Sequence, residues 1–127
     1  MRRKSACTSV ISCVLLLSAA FLATTLNVAS VNGEQTIYIR IDGSVEPSTA
    51  PINREENLYT FTENIYGSVV VQKNDIIIDG ASHTLSGVID LYTKGIDLSA
   101  RTNVTVRNVV IKSFYYGIFF GLSLDNR

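Results

Sequence analysis

Four charged side chains, Asp90, Lys94, Asp97 and Arg101, fall within one short stretch of the chain. Two carboxylates facing each other can share acid–base work at a glycosidic bond. A carboxylate that holds a cation, beside a basic group that removes a proton, supports elimination. These four are the candidate binding residues; no catalytic residue is assigned. The same stretch also reads as a solvated face. Asp75 and Asp79 are the other acids nearby, and turn positions account for both. Asp97 lies between Ile96 and Leu98, so strand alternation points it outward. His83 is the only histidine, and no Cys or carboxylate is spaced to complete a metal set with it. Neither a metal site nor a cofactor is expected. Tyr92, Tyr115 and Tyr116 could stack on sugar rings or pack at an edge. Asn103-Val104-Thr105 is an N-glycosylation sequon on an asparagine that also reads as a turn residue.

The elements that must position these groups are strands. A glycine recurs at a fixed distance before Asp or Asn three times: Gly67 with Asp75, Gly95 with Asn103, Gly117 with Asp125. Apolar runs follow the first two, Ile76-Ile77-Ile78 and Val104-Thr105-Val106. No helical periodicity appears from residue 34 onward, and Val, Ile, Thr, Tyr and Phe dominate, as strands prefer. The interval from Gly67 to Gly95 is longer than that from Gly95 to Gly117, but both are filled with short strands and turns. Such a repeat predicts a solenoid with three strands per rung. The fold class expected is therefore all-β, a parallel β-helix with an N-terminal cap and two to three rungs.

Inward stacking is expected of Ile76, Ile78, Leu85, Ile96, Leu98, Val104, Val106, Val109, Ile111, Phe114, Ile118 and Phe120. Gly67, Gly95 and Gly117 are expected at one corner with φ > 0. Asp75, Asn103 and Asp125 are expected at another, where short polar side chains bond to backbone. Residues 86–94 read as a looped insertion that lengthens the first repeat. Upstream, Gln35 to Ile41 alternates as a half-buried strand. Residues 44–57, with Pro47 and Pro51, read as an exposed loop, and Leu58 to Thr62 as a strand with Tyr59 and Phe61 on one face.

Residues 1–33 read as targeting. Arg2, Arg3 and Lys4 precede an apolar stretch from Val10 to Leu26, and no further charge appears before Glu34. This suits a cleaved signal peptide or an N-terminal membrane anchor. Either places the remainder outside the cytoplasm, secreted or at the cell surface. Cys7 and Cys13, the only cysteines, lie in this leader, so the exported part has no disulfide. Residues 34–127 keep 8 of the 11 basic residues and all 11 acidic ones, which leaves no basic patch for nucleic acid. The expected division is leader 1–33, cap 34–66 and rungs 67–127, the last incomplete.

Ile76-Ile77-Ile78-Asp79-Gly80 with His83-Thr84-Leu85 resembles the "I-D-G-x-G-x-T-L" rung of right-handed parallel β-helix repeat proteins. Asn103-Val104-Thr105-Val106-Arg107-Asn108-Val109-Val110-Ile111 is similar to their "N-V-T-I-x-N-x-x-I" rung, and Tyr116-Gly117-Ile118 to the opening of the next. The resemblance is to the pectin-lyase-like superfamily, in its NosD-type and carbohydrate-associated repeat branch. It implies a right-handed solenoid and partners among extracellular polysaccharides or cell-surface components. It also implies an N-terminal part of a longer β-helix. The enzymes of the family cleave acidic polysaccharides, so the alternative is the N-terminal part of a polysaccharide lyase or glycoside hydrolase. Ser82 departs from the pattern, standing where a second glycine is usual.

Overall fold

The computed structural model describes residues 33–127. The leader expected over 1–33 lies outside the described residues except for Gly33. The described part is all-β, eleven strands in two hydrogen-bonded sheets of mixed strand orientation. Among the described residues no helix is long and apolar enough to cross a membrane.

The first strands are β1 (Gln35–Ile39), β2 (Val45–Glu46), β3 (Ile52–Glu55), β4 (Leu58–Phe61) and β5 (Ile65–Val71). They are followed by β6 (Ile76–Asp79), β7 (Thr84–Ser86), β8 (Lys94–Asp97), β9 (Val104–Arg107), β10 (Val110–Lys112) and β11 (Tyr116–Phe119). One sheet runs β2-β1-β5-β8-β11, with β7 and β10 joined through the start of β5. The other runs β3-β4-β6-β9. Only β2 on β1 and β3 on β4 pair antiparallel; every other pair is parallel.

β5 serves two ladders. Ile65 and Tyr66 pair with Leu85 and Ser86 of β7, whereas Val69 and Val70 pair with Ile96 and Asp97 of β8. Gly67 sits at the change, with φ 143°. A Cβ there would overlap the Gln35 carbonyl oxygen and lie 2.7 Å from Gln35 C and N. The close approach of β1 explains this glycine.

The alternation legible in the sequence sets the core. Ile37, Ile39, Tyr59, Phe61, Val69, Ile76, Ile78, Leu85, Ile96, Leu98 and Val104 are at most 1% exposed. Each such aliphatic side chain stabilises the fold by about 1.5–3 kcal/mol relative to exposure. Burial fades along the parallel ladders. Val106, Val109, Ile111, Phe114 and Ile118 pack on the core only partly, and Phe120, expected inward, is 49% exposed. β11 ends at Phe119, so the alternation that would turn Phe120 inward stops just short of it.

The repeat is looser than its glycines suggest. Ile76 faces Val104, in step with Gly67 and Gly95, but Ile96 faces Val69 rather than Ser68, so the register slips by one position between the two ladders. The slip arises because the turn over 72–75 is answered by a longer one over 99–103. Further along, Ser86 faces Lys112 and Lys94 faces Tyr116. The turn over 80–83 is thus answered by Asn108 and Val109 alone, and the loop over 87–93 by 113–115 alone. The insertion expected at 86–94 explains most, not all, of the difference between the two glycine intervals. The turn over 80–83 supplies the rest.

Four further expectations are corrected. Gly95 and Gly117 lie inside strands, and neither has positive φ; among the described glycines only Gly43 and Gly67 do. Asp75, Asn103 and Asp125 share the left-handed backbone instead, with φ of 57°, 55° and 52°, and the side-chain bonds to backbone beside them come from Asn74 and Asn126. The segment 44–57 contains two short strands where a loop is expected. Its exposed Asn53, Arg54 and Glu55 show no apolar alternation, because β3 lies at the sheet edge. Ile41 is 79% exposed, because the chain leaves β1 in a tight turn closed by Gly43 N donating to Arg40 O at 2.8 Å.

Candidate functional site

Of the four candidate residues, the fold joins two. Lys94 opens β8 and Asp97 closes it; Lys94 Nζ lies 2.8 Å from Asp97 Oδ2. Asp97 also accepts a hydrogen bond from Ser99 N at 2.9 Å and another from Ser99 Oγ. Burial pushes the Asp97 carboxyl up, but the hydrogen bonds from Lys94 and Ser99 outweigh it. The group is held below the ordinary carboxylate value. A carboxylate so satisfied stays ionised and makes a poor general acid. Lys94 is equally occupied: its Nζ sits 3.8 Å from the centroid of the Phe119 ring, a cation–π contact.

Arg101 and Asp90 do not join them. Arg101 Nη1 donates to Gln72 O at 2.8 Å and Nε to Ser99 O at 3.2 Å. It ties two turns together through their backbones. Asp90 is exposed in the loop between β7 and β8, where its Oδ1 accepts from Leu91 N at 2.7 Å. The second acidic group is Asp79. Its Oδ1 accepts from Ala81 N at 2.9 Å and Asn108 Nδ2 at 3.2 Å, and its Oδ2 from Arg107 Nε at 2.8 Å. The Ala81 amide first, then Arg107 and Asn108, lower its pKa. These are corner contacts between β6 and β9. Likewise Asn103 Nδ2 donates to Asp75 Oδ1 at 3.0 Å, so the sequon asparagine is exposed but engaged.

The most prominent surface feature near Lys94 and Asp97 is aromatic. Tyr92 and Tyr115 have ring centroids 6.1 Å apart at 44°; Tyr115 and Tyr116, 4.7 Å at 74°; Tyr116 and Phe119, 5.3 Å at 60°. The parallel pairing of β11 on β8, Tyr116 with Lys94 and Phe119 with Asp97, brings the rings to the ion pair. Thr93 links the loop to the rings: its Oγ1 accepts from Tyr115 N at 3.1 Å and donates to Asp90 O at 2.9 Å. Its carbonyl accepts from Tyr116 N at 2.9 Å. The three tyrosines are among the sequence candidates; Phe119 is not. The alternation that puts Ile118 inward also puts Phe119 outward, and that signal is present in the sequence.

Among the described residues, no group of three or more His, Cys, Asp or Glu is arranged to hold a metal ion. His83 contributes backbone contacts, its carbonyl accepting from Val110 N at 3.1 Å. No family model, curated protein or solved structure matches this chain.

Proposed function

We propose that this chain is a secreted or cell-surface module, built as part of a right-handed parallel β-helix. Its role is structural or carbohydrate-associated rather than catalytic. One observation carries the reading: the parallel ladders β1-β5-β8-β11, β4-β6-β9 and β5-β7-β10 recur in the same order along the chain. A chain that visits three ladders in rotation climbs one strand spacing, about 4.8 Å, per circuit. Such a stack gives a rigid flank on which side chains project at regular intervals. The antiparallel β2 and β3 fit the expected cap, since they close the first parallel strands against further pairing. Export is supported by Arg2-Arg3-Lys4 ahead of the apolar stretch.

The charged candidates support a non-catalytic role. Asp79 is committed to corner backbone and to Arg107, Asp97 to Lys94 and Ser99, and Arg101 to two carbonyls. The test is expression of the full chain in an exporting bacterial host. The product should appear outside the cytoplasm and release neither unsaturated products nor reducing ends from polygalacturonate. Retention in the cytosol would refute the location. Steady cleavage of the polymer would refute the role in favour of the lyase or hydrolase reading.

A further inference from the structure

We propose that Tyr92, Tyr115 and Tyr116 form a stacking site for a neutral saccharide chain. The proposal rests on the carbohydrate-associated half of the reading above. Single exposed aromatics need no explanation, but contiguous ones mark a binding surface. Tyr92 is 73% exposed and Tyr115 is 53% exposed, and the two rings are neighbours. Among the described residues, the phenol groups of Tyr92, Tyr115 and Tyr116 make no hydrogen bond to the protein. Apolar ring faces beside unpaired hydroxyls match the amphipathic faces of a pyranose.

The site is also held in place before any ligand arrives. Thr93 fastens the loop carrying Tyr92 to the backbone of Tyr115 and Tyr116 through two hydrogen bonds, and a third, to Asp90 O, braces the loop itself. Tyr92 itself has φ 67°, a conformation that costs a bulky residue energy. Fixing rings in this way lowers the ordering cost of binding.

Charge selects the ligand class. An acidic polysaccharide needs a cation free to meet its carboxylates. Here Lys94 is paired with Asp97 and covered by Phe119, so the patch presents no uncommitted positive charge. Neutral glycans fit better than uronates.

The loop also exposes Ile89 and Leu91, at 75% and 71%, which would suit a protein surface instead. The experiment separates the two. The chain has no Trp, and three of its six tyrosines are in the site, so tyrosine fluorescence reports binding directly. The full chain is titrated with a soluble neutral β-glucan oligosaccharide and, separately, with oligogalacturonate. Saturable change is expected with the neutral sugar, weakened about tenfold or more by Tyr92→Ala and by Tyr115→Ala. Ile89→Ser with Leu91→Ser should leave it intact. The wild-type melting curve is recorded alongside. A cooperatively folded chain that ignores the neutral sugar overturns the site and leaves the fold and the location standing. Preference for oligogalacturonate overturns the charge argument. Self-association abolished by Ile89→Ser with Leu91→Ser, without sugar binding, makes this surface an interface between copies.

Discussion

Gly67, Gly95 and Gly117 look equivalent in the repeat, yet alanine should affect them very differently. At Gly67 an added Cβ overlaps the backbone carbonyl of Gln35 on the neighbouring strand β1, and φ is 143°. Neither the carbonyl nor the torsion can relax without breaking the β1–β5 ladder. Strain of about 1–3 kcal/mol for the torsion adds to about 1–3 kcal/mol for overpacking. We expect a loss of about 3 kcal/mol or more from these two terms together. At Gly95 φ is not positive, so the torsion costs nothing. The Cβ would lie 2.5 Å from Gly117 O and 3.0 Å from both Ile111 Cγ2 and Phe114 Cδ2. Overpacking of about 1–3 kcal/mol is offset by about 0.5–1 kcal/mol gained when glycine leaves a strand. The expected net loss is about 1–2 kcal/mol. At Gly117 the nearest atom is Ile111 Cγ2 at 3.6 Å, an ordinary contact. Gly117→Ala should be neutral or stabilise by up to about 1 kcal/mol. Urea unfolding followed by circular dichroism gives all three values. If Gly117→Ala costs as much as Gly95→Ala, or Gly67→Ala melts with the wild type, close backbone approach is not what these positions require.

Two further outcomes follow from the corners. Asp79, Asp97 and Asp42 all have pKa values lowered in the folded chain, Asp42 by hydrogen bonds from the Ser44 amide and hydroxyl. Their contribution is complete above the unfolded value of about 3.9 and is lost as pH falls through the lower folded values. The melting temperature should therefore stay level from about pH 8 to 5 and drop below about pH 4, with a shallower drop in Asp79→Asn; an unchanged acid slope in that variant would exclude Asp79 as a contributor. Ser82 has φ 68°, a left-handed conformation costing a non-glycine residue about 1–2 kcal/mol, so Ser82→Gly should raise stability by about 0.5–1 kcal/mol after glycine's entropy cost. A lower melting temperature would mean that the Ser82 side chain makes a contact worth more than the strain.

The alternation of apolar residues was enough to place most strands and most of the core. Ile76 and Ile78, Leu85, Ile96 and Leu98, and Val104 are buried as their spacing demands, because a strand sends every second side chain to one face. Asp75, Asn103 and Asp125 do recur at turns, but their left-handed backbone, which Asp and Asn tolerate, was expected of the glycines instead. The register between strands was not legible. Turns that differ by a single position look alike in one dimension, so only the pairing of Val69 with Ile96 reveals the slip. The reason for Gly95 was also hidden: it lies in the Gly117 carbonyl, on the neighbouring strand β11. For the same reason the sequence could place Asp90, Lys94, Asp97 and Arg101 together but could not divide them. Hydrogen bonds through space commit Arg101 to Gln72 and pair Lys94 with Asp97 beside the tyrosines. Local periodicity is a property of a segment, whereas partnership depends on which segments the fold lays side by side.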